Sequence, residues 1–113
     1  MEGPHIDLAY LERFCKGDRS RMEKYIQMYL HGAPGLFAKL TALLNAGDSE
    51  GLAVAAHSLR PQVNYMGAQG IFDLLTLIEE NARTNGATAC AVQVNEALSL
   101  NEMVMTELRA CLR

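Results

Sequence analysis

The placement of helix-breaking residues constrains this chain more than any other feature. Gly17-Asp18, Gly47-Asp48, Gly67-Ala68-Gln69-Gly70 and Asn85-Gly86 divide it into five segments. Those segments are rich in Ala, Leu, Met, Glu and Arg, residues that lose little freedom on entering a helix. None keeps an apolar-polar alternation of period two for long. The spacing predicts a short first helix over residues 6–16 and a long second one over about 19–46. A third follows from 49 to about 66, a fourth from 71 to about 84, and a fifth from 87 to the C-terminus. Gly47 suits the residue just past a helix end and Asp48 an N-cap. Gly32 and Pro34 mark where the second helix would kink or break. The connections are short, so consecutive helices should run antiparallel. The expected fold is all-α, an antiparallel four-helix bundle with a short extra N-terminal helix, in one domain over 1–113. No internal repeat, low-complexity stretch or linker is visible.

Composition narrows the function classes. The chain has 113 residues, half of them apolar and a fifth charged, which is enough to fold alone with little margin. With ten basic residues against thirteen acidic ones, no nucleic-acid partner is expected, since phosphate contacts need a basic face. Apolar runs of a few residues exclude a membrane span. The opening MEGPHIDLAYLERF lacks a basic region followed by an apolar stretch, so no signal peptide is read. Cys15, Cys90 and Cys111 are odd in number and widely spaced, without CxxC. Neither a disulfide framework nor a zinc site fits them, and a cytoplasmic location is expected. A Met1 start without a linker points to a free-standing protein.

The third helix carries the informative residue. On a wheel of about 100° per residue, Leu52, Ala56, Leu59, Val63 and Met66 fall within about 40° of one direction. His57 lies about 140° from that stripe, on the solvent side. Arg60 and Asn64 sit beside it one and two turns later, and Ala53 one turn earlier. On the fourth helix Ile71, Leu74, Leu75, Ile78 and Ala82 form the core stripe, with Glu79 at its flank. The turn between these helices centres near Ala68, and His57 and Glu79 stand at equal distances before and after it. In an antiparallel pair they reach the same level. Glu79 could then accept the His57 Nδ1–H, fixing the tautomer and leaving the Nε2 lone pair facing solvent as a nucleophile.

The run Ala56-His57-Ser58-Leu59-Arg60-Pro61-Gln62-Val63-Asn64-Tyr65-Met66-Gly67-Ala68 resembles the signature of histidine-containing phosphotransfer (HPt) domains of two-component phosphorelays. That signature has a phospho-accepting His, Leu two on, a basic residue three on and Gly ten on, here His57, Leu59, Arg60 and Gly67. The family also carries Gln or Glu on the next helix, at the spacing of Glu79. The resemblance covers the whole chain. It implies a phosphocarrier without kinase activity of its own, shuttling a phosphoryl group between receiver-domain aspartates through His57. Arg60 would stabilise the phosphoryl group and Glu79 would orient His57, while Pro61, Asn64 and Gly67 would belong to the docking face. The implied partners are a response regulator receiver domain and a hybrid sensor histidine kinase. No cofactor of its own is implied, since the receiver domain supplies Mg²⁺. Two positions depart from the pattern: Pro61 stands where the family has Gly, and Arg60 where it has Lys. Pro61 denies the His57 carbonyl its helical partner. Arg60 keeps the charge and adds a forked donor set.

The alternative is a helical adaptor that binds a receiver domain or another signalling protein without being phosphorylated, the site having been spoiled by Pro61. A metal or haem bundle would need inward-facing ligands, and the wheel turns His57 outward. His5 and His31 read as structural or incidental. Leu36, Phe37, Leu40, Leu43 and Leu44 read as core of the second helix, and Met103 and Met105 as core of the fifth. Val54 and Ala53 are expected near His57 on the docking face, completed by Leu30, Tyr29 or residues of the first helix.

Overall fold

The structure is a computed structural model that describes residues 2–112. Met1 and Arg113, the outermost residues of the expected domain and of its last helix, lie outside the described residues. The element order is β1 (Glu2–Gly3), β2 (Ile6–Asp7), α1 (Ala9–Phe14), α2 (Arg19–Ala46), α3 (Ser49–Tyr65) and α4 (Gln69–Asn85). A 3₁₀ turn over Ala87–Cys90 then leads into α5 (Ala91–Cys111). Helices α2 to α5 form the antiparallel bundle and α1 lies across one end. At about 1.5 Å per residue the 28 residues of α2 span about 42 Å, which accounts for the 43 Å long axis of the molecule.

Local chemistry sets the boundaries. The Asp18 carboxylate accepts the Arg21 N–H at the start of α2, and the Asp48 carboxylate accepts the Gly51 N–H at 2.8 Å at the start of α3. Gly47 ends α2 at φ 69°, a left-handed conformation that a side chain would strain. Pro34 does not break α2, which runs unbroken through it. Pro34 is exposed, so water can replace the hydrogen bond its ring denies to the Leu30 carbonyl.

The first and last helices start later than the spacing implied. Ile6 and Asp7 pair antiparallel with Gly3 and Glu2 instead of opening α1. The Asp7 N–H reaches the Met66 carbonyl at 3.3 Å, and its side chain accepts the Ala9 N–H. This N-terminal segment lies over the α3–α4 turn and is tied to α5 by Glu107, which accepts from the His5 backbone N–H at 3.0 Å and bonds its ring Nδ1 at 2.5 Å. At the other junction, Ser49 Oγ accepts the Ala87 N–H and holds residues 87–90 in the tighter 3₁₀ turn.

The core is one cluster contributed by every helix, including Leu11, Ile26, Phe37, Leu40, Leu52, Leu59, Val63, Leu75, Ile78, Val94 and Leu108. Its one buried polar side chain among the described residues, Asn101, accepts the Tyr29 hydroxyl at 2.5 Å. Burial pushes the Tyr29 phenol far above its ordinary pKa, so the hydroxyl stays a donor. Four rings, Tyr10, Phe14, Tyr25 and Tyr65, pack edge-on, tilted or stacked and pin α1 to α2 and α3.

Several expected assignments are corrected. Leu36 and Met103 are partly exposed, because each lies towards the outward edge of its helix. Ala53 is fully buried and Tyr29 is buried, while Leu30 packs against the core. The α3–α4 contact is the most extensive between helices, and it closes over the side of α3 that carries Ala53. The outward arc of α3 is therefore narrower than the wheel implied, and Val54, not Ala53, is the exposed residue before His57.

Candidate functional site

The α3–α4 hairpin places His57 and Glu79 at one level. Glu79 Oε1 lies 3.0 Å from His57 Nδ1. The His57 side chain is 58 % exposed and that of Glu79 only 15 %, so the ring projects from a carboxylate that is itself largely covered. Among the described residues Nε2 has no hydrogen-bond partner.

The Glu79 carboxylate is held between two guanidinium groups. Arg83, one turn along α4, donates to Oε2 at 2.6 Å and continues to Glu50 at 3.3 Å. Arg60 Nη2 stands 3.6 Å from Oε1. Partial burial opposes the charge on Glu79, but the hydrogen bonds from His57 and Arg83 and the nearby positive charges outweigh it. The carboxyl group is held below its usual pKa and stays an acceptor.

Arg60 does not reach outward beside Nε2. Its Nη2 lies 2.6 Å from His57 Nδ1, its Nη1 is 3.4 Å from Thr76 Oγ1, and its guanidinium carbon sits 5.8 Å from the centre of the Phe72 ring. The α4 side chains hold the cation on the Nδ1 side of the imidazole.

The docking residues divide. Pro61 and Asn64 are exposed on the same outward arc as His57, and α3 passes through Pro61 as one helix. Gly67 is not on that arc. It lies at φ +64° under the N-terminal segment, and a Cβ there would stand 1.9 Å from the Asp7 carbonyl oxygen. The glycine is needed because the chain's own backbone covers it. Beside the arc, an open groove of about 430 Å³ between α2 and α3 is lined by Leu36, Val54, Ser58 and Gln62 among others.

Arg83, Glu50 and Thr76 were absent from the sequence reading. Arg83 follows Glu79 at the four-residue ion-pair spacing and was open to detection on that ground. Nothing in the sequence marked Glu50, which joins only through the fold.

Residues 24–112 match the family model described as the Hpt domain. Among solved structures, the chain is similar to the crystal structure of histidine-containing phosphotransfer protein B (HptB) from Pseudomonas aeruginosa PAO1. The two share 20 % identity with a TM-score of 0.86, over 96 % of this chain and 95 % of that one. At that identity the likeness shows a shared fold. No curated protein matches the sequence. Among the described residues, no helix is long and apolar enough to cross a membrane.

Proposed function

Since the chain belongs to the Hpt domain family, whose members are phosphocarriers of two-component signalling and not kinases, we propose that it relays phosphoryl groups through His57. The donor and acceptor are aspartates of receiver domains, one belonging to a hybrid sensor kinase and one to a response regulator. The observation that carries this reading is an exposed imidazole whose Nδ1 faces a carboxylate and whose Nε2 is unengaged. A proton on Nδ1 leaves the Nε2 lone pair free to attack phosphorus in line. Phosphoryl transfer passes through a loose transition state, so alignment and charge neutralisation do most of the catalysis. The receiver contributes the Mg²⁺ and the second reacting group. This chain contributes the aligned ring and a docking face around it that includes Val54, Pro61 and Asn64.

The test is incubation of the purified chain with a phosphorylated receiver domain, followed by intact-mass analysis. An added phosphate that is stable in alkali, lost in acid and absent from His57→Gln supports the reading. Binding of receivers without any transfer overturns it in favour of a non-phosphorylated adaptor.

A further inference from the structure

We infer that Arg60 and Glu79 serve the two protonation states of a single ring nitrogen, and that Arg60 thereby sets the lifetime of a phosphoryl group carried on His57. The inference rests on the phosphocarrier reading and concerns the same site. Nδ1 lies 3.0 Å from Glu79 Oε1 and 2.6 Å from Arg60 Nη2. A carboxylate only accepts hydrogen bonds and a guanidinium only donates them. One nitrogen cannot satisfy both at once. With its proton, Nδ1 donates to Glu79. Without it, the Nδ1 lone pair accepts from Arg60.

The chemistry gives each state a task. In the unmodified ring, Nδ1–H on Glu79 leaves the lone pair on Nε2, the nucleophilic tautomer. That lone pair attacks the phosphorus of an aspartyl phosphate. The N–P bond forms, the bond from phosphorus to the carboxylate oxygen breaks, and the aspartate leaves with the electron pair. The ring still carries Nδ1–H, so the product is a phosphoimidazolium. Loss of that proton to water gives a neutral phosphoimidazole with an Nδ1 lone pair, which Arg60 is placed to hold. The protonated ring is the better leaving group. Glu79 therefore favours the form that gives the phosphoryl group up, and Arg60 the form that keeps it.

The surroundings support this division. Thr76 and Phe72 keep Arg60 on the Nδ1 side of the ring. The charged groups around the site are Arg60 on α3 and Glu79 and Arg83 on α4, with Glu50 on α3 beyond Arg83. Arg83 bonds the other Glu79 oxygen, so among the described residues the oxygen facing Nδ1 is shared between the imidazole and Arg60.

The experiment needs no receiver domain. The full chain is phosphorylated with phosphoramidate, and the phospho-His57 signal is identified by its absence from His57→Gln. Hydrolysis is followed by ³¹P NMR, and the Nδ1 titration by ¹⁵N NMR, from about pH 5 to about pH 9. Arg60→Met should raise the Nδ1 midpoint by about half to one pH unit and shorten the lifetime about three- to tenfold above that midpoint. Glu79→Gln should move both in the opposite direction, and Arg60→Lys should stay near the wild type. Thermal unfolding curves confirm that each variant is folded, and Arg60→Gln replaces Arg60→Met if the latter is not. An unmoved midpoint in the Arg60 variant, or movement in the same direction in both variants, overturns the inference. Failure to label Nε2 overturns it too, because the lone pair must be available. Failure of transfer from receivers, with these lifetimes behaving as expected, counts against the phosphocarrier reading alone.

Discussion

His5 and His57 each bring Nδ1 within hydrogen-bonding range of a glutamate, on a helix that follows in the chain, yet the two pairs are built differently. His5 is 32 % exposed, and Glu107 also takes its backbone N–H, so ring and main chain are gripped together. His57 is 58 % exposed, its backbone lies within α3, and only the ring meets Glu79. Two arginines flank Glu79, whereas Glu107 has no ion-pair partner but His5 among the described residues. A histidine–glutamate pair is thus an ordinary tie in one place and a candidate site in another. The difference lies in what remains free on the imidazole and in the charges behind the carboxylate.

The sharpest way to break this comparison is to exchange each histidine for Gln. His57→Gln should abolish acid-labile phosphate uptake from a phosphorylated receiver while shifting stability by no more than about 0.5 kcal/mol, as for an exposed side chain. His5→Gln should do the reverse, lowering stability and leaving uptake at the wild-type level. Intact mass and thermal unfolding of the two proteins read both effects. Loss of the phosphate in His5→Gln would mean that the two pairs are not functionally distinct.

The second largest effect is expected at Gly67→Ala. The residue lies at φ +64° and its new Cβ would stand against the Asp7 backbone. The left-handed conformation alone costs about 1 kcal/mol, and displacing the N-terminal segment should bring the total to about 2–3 kcal/mol. Thermal unfolding should fall by about 10 °C. Hydrogen exchange should rise over residues 3–8 and stay unchanged near His57. Equal loosening around His57 would mean that the two regions are one cooperative unit.

These contrasts also show what could be read beforehand. Helix ends were legible because their causes are local: Gly47 adopts positive φ, and Asp18 and Asp48 cap the residues just after them. The level shared by His57 and Glu79 was legible because a short antiparallel hairpin turns equal distances along the chain into adjacency. The outward face of His57 followed from the period of Leu52, Ala56, Leu59 and Val63. What depended on a distant neighbour was hidden. Ala53 is buried because α4 closes over it, and Ile6-Asp7 became a strand because Glu2-Gly3 and the Met66 carbonyl receive it. The side of the imidazole on which Arg60 settles was hidden for the same reason, being decided by Thr76 and Phe72 on the next helix.

A smaller effect is expected from Glu107→Gln. It keeps the shape of the side chain but removes the charge that grips His5. The pair is only partly buried, so water and salt screen it, and the loss should be about 1 kcal/mol. Urea unfolding at low and high salt would measure it, and the difference from wild type should shrink as salt rises. A salt-independent loss would assign the role of Glu107 to packing instead of charge.

The smallest effect belongs to the carboxylate of the candidate site. Glu79 is held below its ordinary pKa despite partial burial, by the hydrogen bonds from His57 and Arg83 and by the charge of Arg60. Because the folded-state value is depressed, its stabilising contribution is fully present above the unfolded carboxylate range and is lost as pH falls through the folded value. Glu79→Gln should therefore narrow its stability gap to wild type as the solution is acidified below that range. A ¹³C titration of the Glu79 carboxyl should show a midpoint below the ordinary glutamate value. The same titration in Arg83→Met should move the midpoint up towards the ordinary glutamate value, since Arg83 makes the shorter of the two arginine contacts. If Arg60→Met moved it more, the carboxylate would be governed from the imidazole side, and the contrast with the unassisted pair at His5 would rest on Arg60 alone.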